Sequence, residues 1–149
     1  MPRRPRSEPT DGVFHAAARC GAPHEVIVVD DLDRTAFVVR LGRVTGRWGW
    51  TIHAWVLMTT HYHLVVETEL GALSAGMREL NGGHARRFNE RHGRRGHLFG
   101  SRFTAESITT DEYFEAACAY VLANPVRAGL CASPEDWRWG GLGTPTPRR

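Results

Sequence analysis

A mixed α+β domain is what the order of apolar patterns in this 149-residue chain predicts. Three observations carry that reading. Residues 50–67 form two apolar runs that meet at Thr59-Thr60, the pattern of two antiparallel strands joined by a short turn. Leu73, Met77, Leu80, His84 and Phe88 then recur at three- or four-residue spacing, as on one face of a helix. Thr110-Asp111 opens a further helical pattern with acids in its first turn, where the helix dipole favours them.

Taken in order, residues 1–12 are rich in Pro, Arg and acids and are expected to be a loose basic tail. Residues 13–19 form a first strand, weakened by three alanines, and residues 26–29 a short β-branched run. Asp30 caps a helix expected to end near Arg47, with Leu32, Ala36, Phe37, Val39 and Leu41 toward the core. The strand pair follows, and then a helix from about Leu73, in which Gly82-Gly83 marks a kink or a close backbone approach. His84 packs with Met77 and Phe88 in that pattern. Residues 97–108 are extended. In the last helix Pro125 disfavours the helical conformation at Asn124, so the helix is expected to end or bend there, and Asn124 could be a capping residue only. The tryptophans at 137 and 139 pack back, and residues 143–149 fray. The domain proper is placed at residues 13–142.

No apolar run approaches the length of a membrane span, and no apolar segment follows the basic start, so neither a membrane anchor nor a signal peptide is expected and the location is cytoplasmic. Cys20, Cys118 and Cys131 are too few and too scattered for a disulfide framework or a zinc ribbon. All 19 basic side chains are arginine. From His84 to Arg102 there are six of them, Arg86, Arg87, Arg91, Arg94, Arg95 and Arg102, against the single acid Glu90. Guanidinium suits bidentate phosphate contact, and such a patch attracts nucleic acid; a solvated helix face is the plainer alternative.

Strand side chains alternate between faces, so His61 and His63 project together with Tyr62 turned away. Two imidazoles side by side suggest a divalent metal, which needs further ligands: Asn124, or less favourably Glu67, which shares their two-residue phase. In the last helix Tyr113, Ala117, Tyr120, Asn124 and Arg127 line one stripe, placing Tyr120 one turn from Asn124. A tyrosine hydroxyl is a poor nucleophile, and a metal that polarises a phosphate removes much of that handicap. The plainer alternative is a half-buried structural tyrosine.

Four strings together, His53-Ala-Trp-Val-Leu-Met-Thr-Thr-His-Tyr-His-Leu-Val-Val-Glu67, Leu80-Asn-Gly-Gly-His-Ala-Arg-Arg-Phe-Asn89, Arg95-Gly-His-Leu-Phe-Gly-Ser-Arg-Phe103 and Ala119-Tyr-Val-Leu-Ala-Asn-Pro-Val-Arg-Ala-Gly-Leu130, resemble the single-tyrosine HUH transposases. Within that group the chain is most similar to the REP-associated tyrosine transposases, related to the insertion sequence 200 type. The resemblance runs over roughly residues 12–140, in the same order. It implies a ferredoxin-like α+β sandwich, a central antiparallel sheet with helices packed on one face and the tyrosine helix near the metal. It further implies Tyr120 as catalytic nucleophile, His61, His63 and Asn124 as metal ligands for Mg²⁺ or Mn²⁺, and the six arginines as DNA contacts. The activity implied is metal-dependent cleavage and rejoining of single-stranded or hairpin DNA through a 5′-phosphotyrosine. No organic cofactor is implied, and relatives are monomers or homodimers, a swapped tyrosine helix being the sign of a dimer.

Three positions depart from the pattern. Thr59-Thr60 stands where relatives usually carry Pro-Asn, the first strand ends Arg19-Cys20-Gly21 rather than Arg-Gly, and Thr104 follows Arg102-Phe103 in place of a basic residue. A one-residue slip at the first of these would turn both histidines away from Tyr120. Two other readings stay open: a non-cleaving, domesticated nucleic-acid-binding protein of the same fold, and a phosphoesterase that uses water.

Overall fold

The computed structural model describes residues 11–100 and 102–145. Of the two tails expected, residues 1–10 and 146–149 lie outside the described residues, whereas Asp11 and Gly12 begin a strand. The elements are β1 (Asp11–Arg19), α1 (Asp31–Trp48), β2 (Thr51–Leu57), β3 (His61–Glu69), α2 (Leu70–His92), β4 (Thr104–Ser107), α3 (Asp111–Arg127) and β5 (Gly140–Leu142). The strands form one sheet in the order β4-β1-β3-β2-β5, every neighbouring pair antiparallel. This is the α+β sandwich the sequence predicts. No helix among the described residues is long and apolar enough to cross a membrane.

Alternation along the strands divides the interior in two. Tyr62, Leu64 and Val66 face a large cluster with Phe37, Leu41, Leu73, Met77 and Leu80, which belong to α1 and α2. Val65, Ala54, Val56 and Val13 face a smaller one with Phe114, Ala117, Cys118 and Val121 of α3. Helices on one face therefore describes α1 and α2, and α3 covers the opposite face. The same alternation puts His61 and His63 on the α3 side.

Asp30 caps α1 as expected, its carboxylate accepting from the Asp33 amide at 3.2 Å. The buried stripe differs from the expected one: Phe37 and Leu41 are buried, but Leu32 is 64% exposed, and Val38 and Val44 are buried instead. The reason is Asp33, which takes the inward position of the first turn and is fully buried. Its carboxylate accepts from the Val29 amide at 2.8 Å, Arg91 at 2.7 Å and His92 at 2.8 Å. The run from Val26 to Val29 is loop rather than strand; Ile27 and Val28 are fully buried, and the Ile27 amide donates to the Thr59 carbonyl at 2.8 Å.

Helix α2 starts at Leu70, directly after β3, and runs through Gly82-Gly83 without interruption. The close approaches it makes are at Gly83, which Arg40 covers, and at Gly76, where a Cβ would lie 2.3 Å from the Trp50 ring. His84 is buried between Phe37 and Phe88 and bonded to the Ile27 carbonyl at 2.7 Å, a core histidine as expected. β5 was without strand signal in the sequence because Gly140 and Gly141 contribute no side chain. Its pairing is instead secured by Trp137 and Trp139: the Trp137 indole donates to the Leu57 carbonyl at 3.2 Å, and the Leu57 amide donates to the Trp139 carbonyl at 2.8 Å.

Candidate active site

The Thr59-Thr60 turn keeps the register that the histidines need. Leu57 pairs with Tyr62, and the Met58 amide donates to the His61 carbonyl at 2.8 Å. The turn is held from outside by the Cys20 amide on the Thr60 carbonyl at 2.9 Å. His61 and His63 consequently share a face, their ring centroids 5.2 Å apart. Tyr62 points the other way into the core, where burial raises the pKa of its hydroxyl.

Helix α3 does not end at Asn124; it continues through Pro125 to Arg127. The proline has no N–H to give the Val121 carbonyl, and the Asn124 side-chain nitrogen reaches that carbonyl at 3.5 Å and the Tyr120 carbonyl at 3.2 Å. With its nitrogen turned to the helix backbone, the amide presents Oδ1 to His61 Nε2 at 3.4 Å. The other His61 nitrogen, Nδ1, meets the Thr60 hydroxyl at 3.0 Å. When Nδ1 carries the proton and donates it there, Nε2 and Oδ1 are two acceptors facing one another, an arrangement that a cation completes.

Tyr120 lies one turn before Asn124 and is 47% exposed. Its ring is 5.9 Å from that of His63 and 5.8 Å from that of His15, edge-on to both. Arg127 caps the outer side, with its guanidinium carbon 4.0 Å from the ring centroid. The predicted nucleophile, both histidines and Asn124 are thus together within one chain. Glu67, the other candidate ligand, is turned into a pair with His53 at 3.1 Å, packed against Phe114. Among the described residues no group of three His, Cys, Asp or Glu side chains is placed to hold a metal ion; the oxygen that stands beside His61 is the Asn124 amide oxygen.

His15 has no counterpart in the sequence expectations. It stands on β1, and its Nε2 meets His63 Nδ1 at 2.9 Å, leaving Nε2 of His63 as that ring's other donor atom. Nothing local marks it, because the pairing spans two strands 48 residues apart in sequence. The available signal was parity: odd positions of β1 share the face of His61 and His63 in the antiparallel register.

Burial, reinforced by the neighbouring imidazoles of His15 and His61, lowers the His63 pKa to about 3. Burial also lowers His61, against the opposing bond to Asn124, and lowers His15, against the opposing charge of Glu106. The unfolded chain, with imidazoles near ~6.5, binds protons that the native state refuses, so native stability is lost as pH falls from ~6.5 toward acid. Thermal melting of the chelator-treated protein should therefore drop between pH 7 and 5. A His63→Asn variant should drop less; equal slopes would contradict this cause.

The six arginines part company. Arg91 grips Asp30 through two bonds of 2.6 and 2.7 Å besides its contact to Asp33, and Arg94 pairs with Glu25. Arg86, Arg87 and Arg95 are exposed on α2 and the loop beyond it, Arg87 within 3.8 Å of Asp33. Arg102 alone of the six lines a cleft with His61 and His63, together with Arg19.

Solved structures of the same shape agree with this architecture. A REP-associated tyrosine transposase bound to a REP hairpin superposes with a TM-score of 0.71 at 18% identity, covering 94% of this chain and 82% of that one. A candidate transposase from Deinococcus radiodurans R1 gives 0.53 at 18% identity, covering 82% of this chain and 96% of the other. At such identity these likenesses speak for the fold. No curated protein matches the chain by sequence. The sequence profile described as transposase IS200 like matches residues 14–124, well over half of the chain and including His15, His61, His63, Tyr120 and Asn124: the chain belongs to the IS200-like transposase family.

Proposed function

We propose that the protein is a metal-dependent single-stranded DNA endonuclease and strand transferase with Tyr120 as nucleophile. The observation that carries this is the meeting of Tyr120 and Asn124 on α3 with His61 and His63 on β3, across one helix–sheet contact. Family membership and the hairpin bound to the structural neighbour support DNA as the substrate. The donor set fits a divalent ion: two neutral imidazoles and an amide oxygen, with the rest of the shell left to phosphate and water. Held by His61, His63 and Asn124, Mg²⁺ or Mn²⁺ would supply positive charge for the phosphate oxygens.

The chain's own groups account for the rest. Tyr120 Oη attacks the scissile phosphorus, the bond to the 3′ oxygen breaks, and a 5′-phosphotyrosine and a free 3′-hydroxyl result. Attack by a 3′-hydroxyl on that linkage rejoins strands and restores the phenol. Arg127, stacked on the Tyr120 ring, holds it in place and offers donors to the phosphate; Arg102 and Arg19 border the histidine side. Arg86, Arg87 and Arg95 would contribute backbone contacts on DNA, with Arg91 and Arg94 shared with Asp30, Asp33 and Glu25. Incubation with labelled single-stranded hairpin DNA and Mn²⁺ should give a denaturation-resistant adduct that chelator prevents. No adduct across a hairpin library would overturn the reading in favour of a binding protein.

His15 enters as the group that fixes the His63 ring. His15→Ala should weaken Mn²⁺ binding by roughly 10- to 100-fold, the usual cost of losing such a support. Calorimetric titration of His15→Ala and His15→Gln checks this, with Gln expected to recover part of the loss. Unchanged affinity in both would remove His15 from the site.

A further inference from the structure

We infer that the cleft beside Tyr120 is a pocket for a single nucleobase, and that Glu106 makes it selective for bases that carry an exocyclic amino group. The inference rests on single-stranded DNA being the substrate at Tyr120.

The cleft has a volume of about 480 Å³ and opens between β1, β4 and α3. Four rings line it, His15, His63, Tyr113 and Tyr120, while Ala17, Ala116 and Ala117 supply only methyl groups. Aromatic rings beside small side chains suit a stacked base, because every base has a π-face. Tyr120 is a wall of the cleft and also the proposed nucleophile, so a base lodged there belongs to a nucleotide next to the scissile phosphate.

Glu106 is the anomaly in this surface. A carboxylate beside a phosphate-binding nucleophile repels the DNA backbone, so its presence needs a compensating contact. Its Oε2 accepts from the Tyr113 hydroxyl at 2.7 Å, which fixes the carboxylate at the cleft and leaves Oε1 without a partner among the described residues. Register adds to this: Glu106 lies directly opposite His15, on the face turned to α3. A fixed carboxylate oxygen accepts and cannot donate. Cytosine, adenine and guanine present an amino group to it; thymine presents carbonyl oxygens flanking one ring N–H, and is disfavoured.

The test is equilibrium binding of the full chain in chelator, by fluorescence anisotropy, to homo-oligomers of deoxycytidine, deoxyadenosine or deoxythymidine of about eight nucleotides. The cytosine and adenine oligomers should bind roughly tenfold tighter than the thymine oligomer. Glu106→Gln, whose amide can both accept and donate, should bring the three affinities together. Losing the negative charge strengthens all three alike, so the ratio is the measurement. Equal affinities in the wild type, or an unchanged ratio in Glu106→Gln, would overturn the inference. Photo-crosslinking of an oligomer bearing 5-iododeoxycytidine should label the peptide that holds Tyr113 or Tyr120, and labelling confined to other peptides would count equally against it. Because binding is read without metal or cleavage, an adduct assay that fails while the preference stands would sink the nuclease reading alone. An adduct without base preference would sink only the pocket.

Discussion

Tyr120→Phe should bind single-stranded DNA as the wild type does and form no covalent adduct with it. The substitution removes one oxygen from a ring that is 47% exposed, so the contacts with Arg127, His15 and His63 survive and stability should move by no more than ~0.5 kcal/mol. Adduct yield should fall by a factor on the order of 10³ or more, the scale seen when a nucleophile is deleted. Gel separation of labelled DNA under denaturing conditions reads both products. Nicking without an adduct, at the wild-type rate, would assign the attack to water and make Tyr120 a structural residue.

Asp33→Ala should cost on the order of 3 kcal/mol in urea denaturation. The carboxylate is fully buried and joins three parts of the chain: the loop at Val29, the start of α1 and the end of α2 at Arg91 and His92. Burial alone would raise its pKa; the bonds from Arg91, Val29 and His92 outweigh burial and hold it below the ordinary value. Its contribution is then complete above the unfolded pKa of ~3.9 and disappears as pH falls through the lower folded value. Wild type and variant should differ fully at pH 7 and converge in acid. Asp33→Asn, which still offers an acceptor to the Val29 amide, should lose less. An Asp33→Ala loss that persists undiminished at acid pH would mean that packing, not charge, is the cause.

What the sequence made legible is what depends on short spacing. Two-residue alternation placed His61 and His63 on one face, and the four-residue step placed Tyr120 beside Asn124. Both are properties of one element at a time. The resemblance then joined the two elements before any geometry was known. What stayed hidden depends on contacts between distant segments. His15 is one example, since its role comes from a neighbouring strand. The inward turn of Asp33 is another: nothing within α1 marks an acid for the core, and the side chains that let it enter, Arg91 and His92, lie on α2. Pro125 misled for a related reason. Backbone preference alone ends a helix there, but the Asn124 side chain supplies a donor to the carbonyl that the proline leaves open, and the same bonds orient the amide oxygen toward His61. The arginine patch was legible as composition and not as availability, because the acids that pair with Arg91 and Arg94 precede them by some sixty residues or more.

The two unequal cores have a consequence for when the site exists at all. The smaller cluster, built around Phe114, Ala117, Cys118 and Val121, fastens α3 to the sheet, with the Asn124–His61 and Tyr113–Glu106 bonds beside it. If that helix detaches while the α1–α2 side stays packed, the histidines keep their places and lose both the phenol and the amide oxygen at once. A nascent chain is in the same condition: with His61 and His63 already folded on β3, it remains chemically silent until residues 111–127 have been made and have docked. Hydrogen exchange at the α3 amides would therefore report the average fraction of time for which the site is assembled.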